Sequence, residues 1–470
     1  MKGLGEPARA PDLLVVGGGA GGLSAARAGC RLGARTLLVQ EGPLGGDCTF
    51  TGCVPSKTVI EAASRGASFA DALAAARAAV QTVATAEDDA VLRREGVEVI
   101  HGRASLRAGQ QVDVDGIIFR PRRVIIATGA RPTVPRIAGM ADLEYLTNES
   151  VFDMDTQPAS LAVVGGGAIG CELAQAFGRL GVSVTVIEAA ERLLPGEEPQ
   201  VSSTLAEVFH REGLVLRLGR QLARVEPLQR KGAARLHLDD GNTVEADRVL
   251  LAVGRSAATD GLGLDHAAVE TDSGFIVTDD TLATTAPRVW AVGDVAGKVQ
   301  FTHAADEMGR IAAANALRRG PKRRFRPGWV PAVTFTDPEV ARVGVVEGDA
   351  GRRARVAYLP MAEVDRAIAA GSTDGFVKLV AGPRPLLRGL GGGRLIGATV
   401  VSGRAGEMIS EAALAVRTGM FVGRLAQTIH PYPTWSTAMR QTAGQFFLEV
   451  GGRSARRVRS DGVRSDGERD

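Results

Sequence analysis

Residues 12–22 read DLLVVGGGAGG, an apolar run that leads into three glycines, Gly17, Gly19 and Gly22. The apolar run predicts a buried strand, and the alanine-rich residues after it, LSAARAGCRLGA, predict a helix. A second apolar strand, TLLVQE, then ends at Glu41. In such a unit, the glycine turn and the helix N-terminus bind a dinucleotide pyrophosphate, and the terminal acid accepts hydrogen bonds from a ribose.

The same arrangement returns at residues 161–188, LAVVGGGAIGCELAQAFGRLGVSVTVIE. The glycines and the terminal acid of this copy are Gly165, Gly167, Gly170 and Glu188. A single glycine-rich turn is a weak signal in a chain with 60 glycines. Two copies, each with a strand before, a helix after and an acid at the end, predict two bound dinucleotides.

Two of the four cysteines, Cys48 and Cys53, lie in GGDCTFTGCVPSK, residues 45–57. Five residues of regular helix would separate their Cα atoms by about 8 Å, and a strand by about 16 Å, whereas a disulfide spans at most about 7 Å. The segment must therefore bend, which Gly52 permits, and Pro55 suits the first turn of a helix. We expect Cys53 at that helix N-terminus, where the dipole stabilises a thiolate.

Zinc binding and two unreactive thiols are the alternatives for this pair. A structural zinc site takes about four ligands, and the other cysteines, Cys30 and Cys171, lie in distant apolar helical patterns. We therefore predict a reversible redox pair and no metal site.

The overall composition is that of an ordinary enzyme of several domains. The net charge of +3 gives no electrostatic case for nucleic acid or an acidic membrane. No apolar run reaches the roughly 18 residues of a membrane span, and the first twelve residues lack the apolar centre of a signal peptide. We expect a cytoplasmic protein without a membrane span or a nucleic-acid partner.

The motifs, in this order, resemble the flavin-dependent pyridine nucleotide–disulfide oxidoreductases over about residues 10–452. Further similar segments are VIIATGARP (124–132), VLLAVGRS (249–256), VWAVGDVAG (289–297), THAADEMGR (302–310) and VPAVTFTDPEVARVG (330–344). The resemblance implies an α/β fold with two Rossmann-like dinucleotide-binding domains, for FAD and NAD(P), and an α+β C-terminal dimerisation domain. It also implies a homodimer.

The domain boundaries expected from the resemblance are 11–150 and 282–326 for FAD, 151–281 for NAD(P) and 327–452 for dimerisation. Residues 1–10 and the charged tail 453–470 are predicted to be disordered. The expected FAD-binding residues are Gly17, Gly19, Gly22, Glu41, Gly46, Lys57, Thr128, Gly129, Asp294, Thr302, His303 and Ala304. Those expected for NADH or NADPH are Gly165, Gly167, Gly170, Glu188 and Gly254.

The resemblance also implies an electron path from NAD(P)H through FAD to the Cys48–Cys53 disulfide and on to a small oxidised acceptor. Cys53 is expected to be the thiolate beside the flavin, and Cys48 the thiol that exchanges with substrate. Lys57 is expected to pair with Glu172 near the nicotinamide. Glu188 favours NADH because an acid repels a 2′-phosphate, although Arg192 nearby leaves NADPH open.

The C-terminal segment IHPYPTWSTAMRQ (429–441) departs from the family's His-Pro-Thr-x-x-Glu pattern. Aligning on Pro433 and Thr434 places Tyr432 where the acid/base histidine is expected. A tyrosine titrates near 10 and is a poor base at neutral pH. We favour Tyr432 as the matching position and retain His430 as the alternative.

A tyrosine here resembles mercuric reductases, yet no cysteine follows Cys171 to take Hg(II) from solvent, so the sequence leaves open whether Hg(II) is turned over. The affinity of thiolates for soft metals still permits slow reduction at Cys48 and Cys53. The acceptor is therefore a small disulfide, a metal ion or another oxidised compound. Two other functions stay open. One is a quinone reductase or transhydrogenase with a regulatory disulfide, and the other is a flavin redox sensor without turnover.

Overall fold

The structure, a computed structural model, describes residues 10–383 and 389–458. Its described residues contain twelve α-helices. In chain order they are α1 Ala20–Arg31, α2 Gly46–Phe50, α3 Cys53–Ser64, α4 Phe69–Ala84, α5 Asp89–Arg94, α6 Ala168–Arg179, α7 Pro199–Arg211, α8 Thr302–Leu317, α9 Asp365–Ala370, α10 Ala405–Thr418, α11 Val422–Gln427 and α12 Thr437–Gly444.

A five-stranded parallel sheet surrounds the first glycine turn. Its strands, in spatial order, are Val289–Ala291, Val124–Ile126, Leu13–Val16, Thr36–Gln40 and Glu98–His101. The central strand is buried throughout, which explains its unbroken apolar sequence. α1 packs against α8, so an early and a late part of the chain build one domain. A three-stranded antiparallel sheet also belongs to this half: Ala104–Arg107, Gln111–Val114 and Ile117–Phe119.

A four-stranded parallel sheet surrounds the second glycine turn. Its strands, in spatial order, are Val215–Leu218, Ser183–Glu188, Ser160–Val164 and Arg248–Leu251. Beside it lies an antiparallel sheet of Leu222–Pro227, Ala234–Leu238 and Thr243–Ala246. Two short antiparallel pairs complete this region: Ala130–Pro132 with Arg255–Ala257, and Thr271–Asp272 with Phe275–Ile276.

A six-stranded antiparallel sheet forms the C-terminal part. Its spatial order is Ala332–Thr334, Glu339–Gly344, Arg394–Ser402, Phe376–Gly382, Arg355–Pro360 and Arg456–Arg457. One face packs on α10, α11 and α12 around an apolar core. The two parallel sheets and this antiparallel sheet confirm the predicted fold class of two Rossmann-like domains and an α+β C-terminal domain.

The prediction of disorder from residue 453 onward was wrong at the start of that tail. Arg456–Arg457 pairs with Arg355 and Val356 as an edge strand, and the Arg456 guanidinium lies 2.6 Å from the Glu347 carboxylate. Composition indicated disorder because these residues supply little apolar surface. The unpaired edge of the strand Arg355–Pro360 and the Glu347 carboxylate nevertheless bind Arg456–Arg457. The predictions for residues 1–9 and 459–470 lie outside the described residues.

Both glycine turns depend on a very close backbone approach. A Cβ added to Gly22 would lie 1.8 Å from the carbonyl oxygen of Gly17, and one added to Gly170 would lie 1.9 Å from that of Gly165. No side chain fits at that separation, so the helix meets the strand closely only with glycine. Among the described residues, no helix combines the length and apolarity needed to cross a membrane.

Candidate active site

A cavity of about 1340 Å³ runs between the two glycine turns and the C-terminal sheet. Most of the predicted site residues line it: Gly17, Gly19, Glu41, Gly46, Cys48, Cys53, Lys57, Thr128, Gly129, Gly165, Gly167, Glu172, Glu188, Gly254, Asp294, Thr302 and His303. Gly22, Gly170 and Ala304 lie behind this lining, where they support the turns and the start of α8. His430 and Tyr432 do not line the cavity.

The cysteine pair lies at the junction of α2 and α3. α3 begins at Cys53, with Gly52 as its N-cap residue, which confirms the predicted helix start. Both cysteines are free thiols in this structure and hydrogen-bond each other. The Thr302 hydroxyl at the start of α8 lies 3.3 Å from Cys53 Sγ. The short helices therefore bring the two sulfurs together at the bend that the sequence predicted.

The two thiols differ strongly in acidity. The hydrogen bond from Cys48 lowers the pKa of Cys53 to about 6, assisted by the Thr302 hydroxyl and the charge of Lys57. The same hydrogen bond, together with burial, raises the pKa of Cys48. At neutral pH the reduced pair therefore holds one thiolate, on Cys53, and one proton, on Cys48.

Lys57 and Glu172 form the ion pair that we predicted. Lys57 Nζ lies 2.8 Å from Glu172 Oε2; the Glu172 side chain is only 6 % exposed, whereas that of Lys57 is 34 % exposed. The second oxygen, Glu172 Oε1, accepts the backbone N–H of Phe335 at 2.8 Å. The carboxylate is thus fully engaged, and the ammonium remains open to the cavity on one side.

Arg255 is a site residue that the sequence analysis did not single out. Its guanidinium pairs with Asp47 in α2 and donates to the Ala130 carbonyl at 2.6 Å. Its Nε lies 3.4 Å from Asp294 Oδ2, within ion-pair range but without hydrogen-bond geometry. Burial raises the pKa of Asp294, and Arg255 opposes that shift. Arg255 lies in the VLLAVGRS segment, but its distant partners gave no sequence signal.

The strand pairing corrects the position of the first terminal acid. Gly17 N–H bonds to the Val39 carbonyl, and Gly165 N–H to the Ile187 carbonyl, so the residue equivalent to Glu188 is Gln40. Gln40 Oε1 accepts the Gly18 N–H at 2.5 Å, as Glu188 Oε2 accepts that of Gly166. Glu41 comes one residue later, at an exposed position on the cavity rim.

The residues that line the cavity fit two dinucleotides. At Gly167 an added Cβ would meet nothing within 4 Å, and at Gly19 its nearest neighbour would be 3.9 Å away, which leaves the backbone open to a pyrophosphate. Thr128 Oγ1 is buried in the lining with no hydrogen-bond partner, which is a site for a ligand atom. His303 also faces the cavity and stacks on Phe301 with its ring centroid at 5.5 Å.

The C-terminal segment separates the two candidate acid/base residues. His430 Nε2 lies 3.1 Å from Glu411 Oε2, and its Nδ1 lies 3.0 Å from the Thr428 carbonyl. A His–Glu contact therefore exists, with a glutamate from α10 that the local motif could not reveal. Tyr432 is 72 % exposed, and its hydroxyl donates to Asp365 at 2.7 Å. This carboxylate raises the pKa of Tyr432.

Comparison with known proteins gives one consistent family. The profile of "Pyridine nucleotide-disulphide oxidoreductase" matches residues 11–309, and that of the family's dimerisation domain matches residues 330–443. The chain is 35 % identical to the mercuric reductase of Streptomyces lividans over 93 % of this chain and 97 % of that protein. It is 33 % identical to the dihydrolipoyl dehydrogenase of Thermus scotoductus over 92 % of this chain and 96 % of that one.

Solved structures agree. The Cu(II) complex of the HOCl-induced flavoprotein disulfide reductase RclA from Escherichia coli superposes with a TM-score of 0.84 at 26 % identity, covering 92 % of this chain and 99 % of RclA. LpdA from Mycobacterium tuberculosis gives 0.82 at 30 % identity, covering 93 % and 100 %. The chain therefore belongs to the pyridine nucleotide-disulphide oxidoreductase family, whose members use FAD and NAD(P)H, and it is a flavoprotein oxidoreductase of the disulfide- and metal-reducing type.

Proposed function

We propose that this chain oxidises NADH and passes the electrons through its Cys48–Cys53 pair to a small oxidised acceptor. The observation that supports this most strongly is the acidity difference between the two thiols. A sulfur with a pKa of about 6 is a thiolate at neutral pH. Its neighbour keeps the proton and exchanges with the acceptor only when that proton is lost. Two structural thiols would need no such polarisation.

Each residue of the site has a separate task in this proposal. When bound, FAD accepts a hydride from the nicotinamide and supplies an electron pair to the disulfide. Reduction breaks the Cys48–Cys53 bond and leaves two sulfurs that share one proton at neutral pH. Thr302 and Lys57 stabilise the negative charge on Cys53. Glu172 holds Lys57. Cys48 keeps the proton until its sulfur attacks the acceptor, and the proton then passes to the hydrogen-bonded Cys53 thiolate.

The structure supports NADH rather than NADPH as the preferred donor. Glu188 lies at the strand end, where the ribose hydroxyls are expected. Arg192, which left NADPH open, donates to the carbonyls of Glu197 and Pro195 at 2.7 Å each and does not line the cavity. We expect kcat/KM for NADH to exceed that for NADPH by at least about tenfold, since one repelled charge is worth ~1.4 kcal/mol or more. Equal efficiencies would contradict the assignment.

A homodimer completes the proposed site. The chain carries the family's dimerisation domain, and exposed apolar side chains lie on that part: Leu390, Leu414, Ile429, Phe447 and Leu448. We propose that Tyr432 of the partner subunit reaches the Cys48 side of the cavity. Tyr432 fits better than His430, because the Tyr432 residue is 72 % exposed whereas the His430 side chain is only 6 % exposed and bonded through both ring nitrogens.

The acceptor follows from the lack of a strong base. Tyr432 donates a hydrogen bond or binds a ligand but is a poor proton acceptor near neutral pH. A disulfide substrate needs acid/base help at Cys48, whereas a soft metal ion binds thiolates directly. Relatives include mercuric reductases, and a structural relative is a Cu(II) complex. We therefore rank a soft metal ion first and a small disulfide second.

The test is a screen of acceptors with the FAD-loaded enzyme and its Cys48→Ser variant. Hg(II), Cu(II), lipoamide, glutathione disulfide, a quinone and thio-NAD each serve as acceptor, with NADH as donor. We expect turnover of one or more metal or disulfide acceptors in the wild type and its loss in the variant. Activity that survives in Cys48→Ser with every acceptor favours the quinone or transhydrogenase alternative with a regulatory disulfide. A flavin that NADH fails to bleach without oxygen favours the sensor.

A further inference from the structure

Three separate parts of the chain meet at Lys57. The ammonium comes from α3, its carboxylate partner Glu172 from α6, and a third contact from Phe335, directly after the strand Ala332–Thr334. The Phe335 ring centroid lies 4.6 Å from Lys57 Nζ, a cation–π distance. The Phe335 N–H also binds Glu172 Oε1 at 2.8 Å. One residue of the C-terminal domain therefore contacts both members of the pair.

The segment that carries Phe335 is fixed along one face of α6. Gln175, one helical turn beyond Glu172, accepts the Asp337 N–H and donates to the Asp337 carbonyl, both at 2.7 Å. Arg179, a further turn along, lies 3.0 Å from the Asp337 carboxylate. Residues three and four apart share a helix face, so these contacts form a row. These contacts with α6 fix the backbone that carries the Phe335 ring.

Lys57 needs such a fixed neighbour. A lysine ammonium is a point charge on a flexible four-carbon stem, and it holds one geometry only where its surroundings restrict it. Among the described residues, the Glu172 carboxylate accepts a hydrogen bond from the Lys57 ammonium. The side of the ammonium that faces the cavity is open. Phe335 lines the same cavity, and its ring contacts the ammonium on another side.

We propose that Phe335 is a positioning residue that fixes Lys57 and Glu172 at the nicotinamide side of the site, so that the C-terminal domain influences electron entry. This inference rests on the proposed task of Lys57. It assigns to the C-terminal domain a second role besides dimerisation, and it predicts that entry of electrons responds to Phe335 while their exit does not.

The first experiment compares Phe335→Leu with Phe335→Tyr in the FAD-loaded enzyme. Leucine keeps the backbone N–H and removes the ring, whereas tyrosine keeps both. In anaerobic stopped-flow mixing with NADH, we expect flavin bleaching to slow about three- to fivefold in the leucine variant, the size of one exposed cation–π contact, and to stay normal in the tyrosine variant. Reoxidation of the prereduced enzyme by a dithiobenzoate disulfide reagent should not change in either variant.

The second experiment has a readout independent of turnover. Amine-reactive labelling, followed by mass spectrometry, measures the accessibility of Lys57 relative to that of Lys231, whose side chain is 80 % exposed. We expect labelling of Lys57 to rise about threefold in Phe335→Leu and not in Phe335→Tyr, because the loss of the ring frees the ammonium. Arg342→Ala is the matched control. Arg342 also joins these two domains, through Glu197 at 2.8 Å, but does not line the cavity.

The outcomes separate this inference from the proposed function. Normal bleaching in Phe335→Leu overturns the inference, as do equal slowing in Phe335→Tyr, slowing in Arg342→Ala, or slowing of electron entry and exit together. Survival of all acceptor activities in Cys48→Ser overturns the proposed function and leaves the bleaching measurement interpretable, because bleaching by NADH precedes the disulfide.

Discussion

The contact between Thr302 and Cys53 gives a prediction whose size follows from the structure. Thr302 is the first residue of α8, directly after the N-cap residue Phe301. Its hydroxyl lies 3.3 Å from Cys53 Sγ. Thr302→Val has nearly the same shape and removes the hydroxyl that hydrogen-bonds the cysteine pair, so the change tests this donor without disturbing the helix start.

The expected shift is about one pKa unit upward. A hydrogen bond to a charged group is worth roughly 1.5–3 kcal/mol, and the long contact to a large sulfur favours the lower end of that range. One pKa unit corresponds to about 1.4 kcal/mol. The pKa of Cys53 should therefore rise from about 6 to about 7 in Thr302→Val. Thr302→Ser keeps the donor and should stay near 6.

The assay is alkylation by iodoacetamide as a function of pH, with peptide mass spectrometry to identify Cys53. It uses the reduced, FAD-loaded enzyme with Cys48 in place, because the hydrogen bond from Cys48 is the largest cause of the lowered pKa of Cys53. Burial raises the pKa of Cys30 and of Cys171, so these thiols react at higher pH. A midpoint that stays the same or falls in Thr302→Val would refute the reasoning, as would an equal rise in Thr302→Ser.

Three further predictions concern charges. Glu172→Ala should slow flavin bleaching by NADH about tenfold or more, since Lys57 loses its partner; an unchanged reductive half-reaction in stopped flow contradicts the role of the pair. Lys378→Met should lower the free energy of unfolding by about 3–5 kcal/mol, because the 2 % exposed lysine pairs with the buried carboxylate of Glu198. Chemical denaturation measures this free energy, and an unchanged value contradicts the prediction. The pKa of Cys53 is lowered from 9.0 to about 6 on folding, so its stabilisation of the reduced enzyme is complete above pH 9.0 and lost as the pH falls through about 6. Denaturation of the reduced enzyme and of Cys53→Ser across that range should show the difference growing with pH, and a difference that shrinks contradicts it.

Features encoded by neighbouring residues were predictable from the sequence. The glycine turns at Gly17 and Gly165 require a close backbone approach that no other residue permits, and the strand before and the helix after each turn identify them. The helix start at Cys53 was predictable in the same way, because Gly52 and Pro55 act within one turn.

Features that depend on register or on distant partners were not predictable. Glu41 follows the strand Thr36–Gln40 by one residue, and a shift of one residue along a strand moves a side chain to the opposite face. The sequence predicted the strand correctly, but it did not show which residue is the last one paired in the sheet. Glu411 contacts His430, and Phe335 contacts Lys57, each from another element of the chain, and a single sequence contains no signal for such contacts.

The first sheet has a consequence for synthesis. Its edge strand Val289–Ala291 pairs with Val124–Ile126, and α8, which ends at Leu317, packs on α1. On the ribosome, α1 and the early strands emerge long before these partners do. The flavin domain therefore lacks part of its sheet and α8 while the whole nicotinamide domain is translated. The nascent chain can complete the nicotinamide pocket first and the flavin pocket only after α8 has emerged.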